Sequence, residues 1–168
     1  SNIGLKLLDH RFQASVNPVG ILYNPLSIAQ SMQRATNNYQ YTSEDLCRHD
    51  ELYLSMDFHS DFSSLDEKSA LQKMNFSISA LKEGIEKSNT IYITFGTAWA
   101  YFEEDCCVAN CHKFSSSRFT RRRLNVEEIA EEYGLKRERN KEIKEKALRR
   151  LRHRSRSTPL EPYFNEIS

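Results

Sequence analysis

The sequence predicts an α/β fold built on a parallel sheet, and two adjacent patterns carry that prediction. Apolar residues at steps of three and four over 65–87 draw one stripe down a helix, formed by Leu71, Met74, Ile78, Leu81 and Ile85. A run of β-branched and aromatic residues over 90–95 follows at once, as in a buried strand. A helix that leads so directly into a buried strand is typical of the crossover between parallel strands.

Two further strands and two helices are predicted before this unit. Residues 16–23 indicate a short strand that is interrupted at Asn17-Pro18, and residues 52–58 alternate apolar and polar side chains with a period of two. Between them, Asn24 is placed to cap a helix over 25–35 that begins with a proline, where a missing N–H costs least. A shorter helix is predicted over 3–12.

A short helix and then a charged tail follow the predicted sheet. Asn125 and Glu128 have the spacing of a capping box that opens a short helix, and Gly134 is a natural residue to end it. We therefore predict one α/β domain over 1–134 and a charged tail, helical or disordered, over 135–168. With 168 residues the chain is long enough to bury a real core.

Charge is distributed unevenly along the chain. Residues 118–156 carry 15 Lys and Arg against 7 Asp and Glu, whereas the rest carries 9 against 16. The basic run at 121–123 has no aromatic residues interleaved in the sequence, and glutamates accompany it. Pairing between side chains four residues apart therefore explains it better than a nucleic-acid partner does. No run of 18 apolar residues occurs, so no membrane span is expected.

The four cysteines have no regular spacing. Cys106, Cys107 and Cys111 cluster, and Cys47 lies far from them. Such spacing fits neither a secreted disulfide framework nor a zinc ribbon, which needs two Cys-x₂₋₄-Cys pairs. We therefore expect reduced thiols in a cytoplasmic location, no metal and no cofactor. The composition leaves the oligomeric state open.

Polar residues able to do chemistry cluster after the strand predicted over 90–95. The strand meets Gly96, and Thr97, Trp99, Asn110, Cys111, His112 and Lys113 follow. Side chains at the carboxyl end of a buried strand commonly form the active site of an α/β protein. The same residues are also compatible with an ordinary core strand followed by a polar loop.

Five stretches together resemble the GSCFA-domain family over about residues 2–130. They are VNPVGILYNPLSI at 16–28, DFHSDFS at 57–63, GTAWAY at 96–101, VANCHK at 108–113, and the stretch at 119–129 with its Leu124-x-x-Glu-Glu. Their order, length and unusual composition make the resemblance specific. The family is grouped with the SGNH hydrolases, so the resemblance implies a three-layer, flavodoxin-like parallel sheet.

The resemblance also implies a serine nucleophile, oxyanion donors from a glycine and an asparagine, and a late Asp-x-x-His pair. This chain has neither the Gly-Ser-Cys-Phe-Ala motif that names the family nor an Asp three residues before any of its five histidines. Ala98 stands where the hydrolases carry the asparagine. We therefore expect a fold that is incomplete at both ends and a chain that does not turn over an ester.

The resemblance and the residue types together nominate a site. His59 and His112 are candidate acids or bases, since an imidazole titrates near neutral pH, and Asn110 is a candidate oxyanion donor. Substrate contacts are expected from Gly20, Asn24, Ser27, Ser60, Gly96, Thr97, Trp99 and Lys113. Structural alternatives remain for each residue: helix capping for Ser27, a turn for Asn110, a core position for Trp99.

Two functions remain open on the sequence. The first is an SGNH-like hydrolase scaffold that acts on an ester of a carbohydrate or a lipid. The second is a non-catalytic binding module that keeps the loops of such a fold without its triad.

Overall fold

The computed structural model describes residues 2–134, and these residues form a mixed α/β structure that divides into two units after Leu124. The tail predicted over 135–168 lies outside the described residues, so the boundary at residue 134 stays a prediction. The helices are α1 (Asn2–Asp9), α2 (Pro25–Thr36), α3 (Glu67–Lys87) and α4 (Val126–Glu132). The strands are β1 (Cys47–His49), β2 (Leu52–Leu54), β3 (Trp99–Glu103), β4 (Cys106–Val108) and β5 (Thr120–Arg123). No helix among the described residues is long and apolar enough to cross a membrane.

The strands form two small antiparallel sheets rather than the predicted parallel one. β1 pairs with β2, and β3 lies between β4 and β5. Two-residue connections join β1 to β2 and β3 to β4, and Asp50 and Glu104 in these turns have φ of 54° and 52°. Because so short a turn can only reverse the chain, it imposes antiparallel pairing.

The strand predicted over 16–23 is wrong, because a turn interrupts it. Asn17 and Gly20 both have positive φ, 48° and 81°, and the Gly20 N–H donates to the Asn17 carbonyl at 2.9 Å. The predicted strand over 52–58 is shortened to β2. Phe58 beyond it lies in a second turn, where its N–H donates to Ser55 O at 3.2 Å.

The strand predicted over 90–95 is also wrong, because pairing begins only at Trp99. Residues 90–95 have no assigned secondary structure and are exposed, with Tyr92 71% accessible. A β-branched run marks extended backbone but does not specify a partner. The neighbouring sequence WAYFE, which also alternates, takes the central position of the sheet instead.

The helices predicted before residue 134 are confirmed, although the first ends at Asp9 rather than at residue 12, and α3 forms the centre of the core. Met74 and Ile78 of its predicted stripe are buried, and Leu71, Leu81 and Ile85 are partly buried against the same cluster. The other buried members of that core cluster are Val19, Ala35, Tyr41, Phe58 and Ala70. α2 packs against α3, so two helices and the loop that contains Phe58 enclose one apolar core.

Both predicted caps are present. The Asn24 side chain accepts a hydrogen bond from the Ser27 N–H at 2.9 Å, and Pro25 begins α2. In the second unit, Asn125 and Glu128 form the reciprocal bonds of a capping box at 2.7 and 2.8 Å. These local signals were readable in the sequence because a cap depends only on residues three positions apart.

Candidate functional site

The loop after β2 presents His59 from a rigid base. Phe58 is 1% exposed and packs against the Phe62 ring at a centroid distance of 4.8 Å, which anchors the backbone on both sides of His59. The His59 side chain is 37% exposed, and its Nδ1 lies 3.0 Å from a carboxylate oxygen of Asp61. The Asp61 backbone N–H donates to the same Nδ1 at 3.4 Å, so Asp61 orients the ring through this nitrogen and leaves Nε2 as the nitrogen available to a ligand.

The loop after β4 reverses the chain through an unfavourable backbone. His112 and Lys113 have φ of 46° and 64°, and the Phe114 N–H donates to the Cys111 carbonyl at 2.9 Å. Two successive positive φ angles suit glycine or asparagine, so a His-Lys pair here stores strain. Strain of this kind is concentrated at functional sites and persists only where surrounding contacts hold it.

Four hydrogen bonds fasten these two loops to each other. Ala109 and Asn110 donate backbone N–H groups to the Met56 carbonyl at 2.8 and 3.2 Å. The Asn110 side-chain amide donates to the Ser60 hydroxyl at 3.1 Å, and His112 Nε2 bonds to the Ser55 carbonyl at 2.8 Å. We call His59, Ser60, Asn110 and His112 the His59 cluster.

His112 is the buried member of the cluster, 7% exposed. Since the Ser55 carbonyl can only accept, Nε2 must carry the proton that bonds to it. Burial lowers the pKa of His112 below its ordinary value, although the Ser55 and Phe58 carbonyls oppose the shift. The imidazole is therefore neutral near pH 7, and it joins the two loops.

Gly20 contacts the cluster from the turn at 17–20. A Cβ on this residue would lie 3.0 Å from the Phe62 ring and 3.4 Å from the Cβ of His59, and its φ of 81° favours glycine. Its N–H already donates to Asn17, which competes with the oxyanion role that the resemblance implied. Gly20 thus allows the close approach of the His59 loop.

Asn24 and Ser27 belong to a second polar group, which is buried. The Asn24 amide donates to the Ser27 hydroxyl at 2.9 Å, and the Cys107 thiol lies 3.6 Å from both side chains. Gly96 and Thr97 adjoin this group, since both donate N–H bonds to Tyr23 O at 2.9 and 3.1 Å. These side chains cap α2 and join it to β4. This structural role explains why the group is buried.

The remaining nominated residues are exposed. Trp99 is 42% accessible on the sheet, and Lys113 is exposed on its turn. Cys111 lies half-buried between Asn110 and His112, and burial raises the pKa of its thiol, which disfavours the nucleophilic thiolate. Among the described residues, no group of three or more His, Cys, Asp and Glu side chains is arranged to hold a metal ion.

Sequence reasoning missed the ion pair beneath the cluster. Arg34 of α2 pairs with Asp57, and the Tyr41 hydroxyl donates to the same carboxylate at 3.3 Å and accepts from Arg34 at 2.8 Å. Burial raises the pKa of Asp57, while the Arg34 guanidinium opposes that shift. Only Asp57 carried a sequence signal, because it lies within the DFHS motif.

Replacing His112 with glutamine is expected to make the free energy of unfolding depend less on pH between pH 7 and pH 5. A folded-state pKa below the unfolded value means that the unfolded chain binds more protons, so stability is present above about pH 6.5 and is lost as pH falls through the folded pKa. Wild type should therefore lose more of its free energy of unfolding than His112→Gln between pH 7 and pH 5. Urea denaturation across that range measures it. His10→Gln, at an exposed site, is the control, and equal slopes in wild type and His112→Gln would contradict the prediction.

The fold and the cluster define a mixed α/β domain with a histidine- and amide-containing polar site assembled from two loops. The GSCFA family model matches residues 1–150, and the chain belongs to the GSCFA family. This match confirms the resemblance inferred from the five sequence stretches. Searches of curated proteins and of solved structures returned no match.

Proposed function

We propose that this chain is an SGNH-like ester-hydrolase scaffold and that an ester of a carbohydrate or a lipid binds at the His59 cluster. The observation that carries the proposal is the bond from the Asn110 amide to the Ser60 hydroxyl, which places an amide, a hydroxyl and His59 together from loops some fifty residues apart. Asn110 has a second N–H, which is suited to the oxygen of an acyl group.

Each member has a distinct part in this proposal. Asn110 donates to the acyl oxygen, and His59, oriented by Asp61, exchanges a proton with the alcohol part of the ester. His112 positions both loops through the Ser55 carbonyl and does not touch the ligand. Ser60 accepts a hydrogen bond from the Asn110 amide and so holds it in place.

We carry the three-layer parallel sheet of the SGNH class into the proposal as a hypothesis, although residues 16–23 and 90–95 lie side by side at their ends without pairing as strands. Its support is that Gly96 and Thr97, directly after the second segment, both bond to the carbonyl of Tyr23 at the end of the first. Parallel strands gather their carboxyl ends in this manner. A cytoplasmic location is proposed on the ground that none of the cysteines at 47, 106, 107 and 111 forms a disulfide.

A binding module without turnover is the second candidate, and one observation favours it. Among the described side chains, no hydrogen bond joins His59 to Ser60, although a nucleophile and its base normally lie within such reach. The two candidates share the ligand and differ only in whether bonds are broken.

Binding of a tetrahedral anion tests the proposal without requiring turnover. Phenyl methylphosphonate, a stable mimic of the oxyanion formed at an ester carbonyl, is titrated into the protein and followed by NMR. We expect Asn110→Ala and His59→Ala each to weaken binding by at least about tenfold, because each removes a hydrogen bond to a charged group. Asn37→Ala, at the exposed carboxyl end of α2, should leave the affinity unchanged.

One result would count against the ester site, and another would decide between the two candidates. If wild type, Asn110→Ala and His59→Ala bound the phosphonate with equal affinity, the His59 cluster would not be its binding site. Saturable hydrolysis of p-nitrophenyl acetate that is abolished in Ser60→Ala would show a nucleophile in this chain and would reject the binding module in favour of an enzyme.

A further inference from the structure

One face of the three-stranded sheet carries two parallel rows of exposed side chains. Along β3, Trp99 and Tyr101 are 42% and 39% accessible, whereas Ala100 and Phe102 between them are buried. β5 pairs Arg123 with Trp99 and Arg121 with Tyr101. Since cross-strand partners project from the same side of a sheet, an aromatic row lies beside an arginine row. We call these four residues the Trp99 face.

The two rows contact each other. The Arg121 guanidinium lies 4.1 Å from the centroid of the Trp99 ring and 5.9 Å from that of Tyr101. A planar guanidinium held against a ring offers a flat surface on which a further flat group can stack. Arg122 projects from the opposite side, 4.4 Å from the Phe102 ring.

The arginines of the Trp99 face carry charge that the described residues do not neutralise. No ion pair among these residues includes Arg121 or Arg123. Glu103, the acidic residue of β3, pairs with Arg118 instead. An exposed face with two such guanidinium groups attracts an anionic ligand.

The spacing of side chains along the two rows restricts the kind of anion that can bind. Side chains two positions apart on a strand are separated by about 6.6 Å, so a ring and a guanidinium recur together at that interval. A polymer that presents a flat ring and an anion in every unit matches both rows. Duplex nucleic acid hides its bases, and an acidic polysaccharide has puckered rings that cannot stack on a guanidinium plane.

We propose that the Trp99 face binds single-stranded nucleic acid, with bases stacked on Trp99, Tyr101 and the Arg121 plane and with phosphates paired to the arginines. Aromatic platforms beside basic groups bind single strands in this way, with little sequence preference. The inference is independent of the proposed ester site. Strand pairing supplies the interleaved aromatics that the sequence of the basic run lacks, because it brings residues 99–101 beside 121–123.

A single tryptophan makes the test direct. Trp99 is the only tryptophan of the chain, so its fluorescence reports stacking on this face alone. The full chain is titrated with unlabelled oligothymidylate of about ten nucleotides to follow Trp99 quenching, and the anisotropy of a second, fluorescein-labelled oligothymidylate gives the affinity. We expect quenching of Trp99 and a loss of affinity of roughly 5- to 100-fold in Trp99→Ala, as for removal of one stacking ring.

The arginines are tested by the salt dependence of binding. Arg121→Gln with Arg123→Gln should lower the slope of log affinity against log salt by about 1.4, since each phosphate contact on a single strand contributes about 0.7. Arg122→Gln removes one charge from the opposite side and is the matched control for the single variant Arg121→Gln. Circular dichroism verifies the fold of each variant.

Three results would overturn the proposal. One is an affinity weaker than about 100 µM at low salt, below the range of non-specific binding. Another is an equal loss of affinity in Arg122→Gln and Arg121→Gln, which would show that binding depends only on the net charge of the protein. The third is tighter binding of polygalacturonate than of oligothymidylate, which would assign the face to an acidic polysaccharide.

Discussion

Replacing Phe58 with alanine is expected to lower the free energy of unfolding by about 3–5 kcal/mol, a large part of the stability of a small domain. Phe58 is 1% exposed and packs edge-on against Tyr41 at a centroid distance of 5.1 Å. Truncation removes apolar burial and leaves a cavity between α3 and the His59 loop. Urea denaturation followed by Trp99 fluorescence measures the loss in the first unit.

The chain supplies a matched control for this change. Phe76 lies on α3 but is 76% exposed, so Phe76→Ala should change the free energy of unfolding by about 0.5 kcal/mol or less. Similar losses for Phe58→Ala and Phe76→Ala would mean that the core is not where the structure places it. A large loss for Phe58→Ala should also weaken phosphonate binding, because the same ring anchors His59.

Replacing Arg34 with methionine is expected to lower the free energy of unfolding by about 2–3 kcal/mol, because it leaves the Asp57 carboxylate buried without its cation. The Asp57 and Arg34 side chains are 19% and 29% exposed, so the loss should be smaller than for a fully buried pair. Combining Arg34→Met with Asp57→Asn should restore part of it, since the uncompensated charge is then gone. Urea denaturation of wild type, both single variants and the double variant completes the cycle.

The pH dependence of Arg34→Met gives an independent check. Burial already raises the pKa of Asp57, and loss of the guanidinium should raise it further. A raised folded-state pKa stabilises the protein at acid pH, and that contribution is lost as pH rises through the folded pKa. The gap between Arg34→Met and wild type should therefore narrow below about pH 5. A double variant whose loss equals the sum of the single losses would show that the two residues do not interact.

Sequence reasoning succeeded where the determinants are local. The helical stripe along α3 and the caps at Asn24 and Asn125 depend on residues within one turn, and the structure confirms them. Strand positions failed because a strand is specified by a partner distant in sequence. The turn at Glu104 and Asp105 also lacks the Asn-Gly signal that would have revealed a hairpin.

The site divides in the same way. His59, Ser60, Asn110 and His112 were nominated from motifs, and the structure brings them together across two loops. Their supporting contacts were not predictable, because Arg34 and Tyr41 come from a helix and a loop with no motif. For Arg121 the sequence was misleading, because no aromatic residue is interleaved with the basic run at 121–123. Its aromatic partners come from β3 and are apparent only from the register of β3 with β5.

The exposed stretch over 90–95 affects how the chain is expected to behave at high concentration. Its six residues, Thr-Ile-Tyr-Ile-Thr-Phe, include no charge, no proline and no glycine, and Ile91, Tyr92, Ile93 and Phe95 are all exposed. Segments of this composition stack between molecules into cross-β fibrils. Glu86 and Lys87, at the end of α3 just before the stretch, are its nearest charged residues on that side, which is the position from which gatekeeper residues limit such stacking.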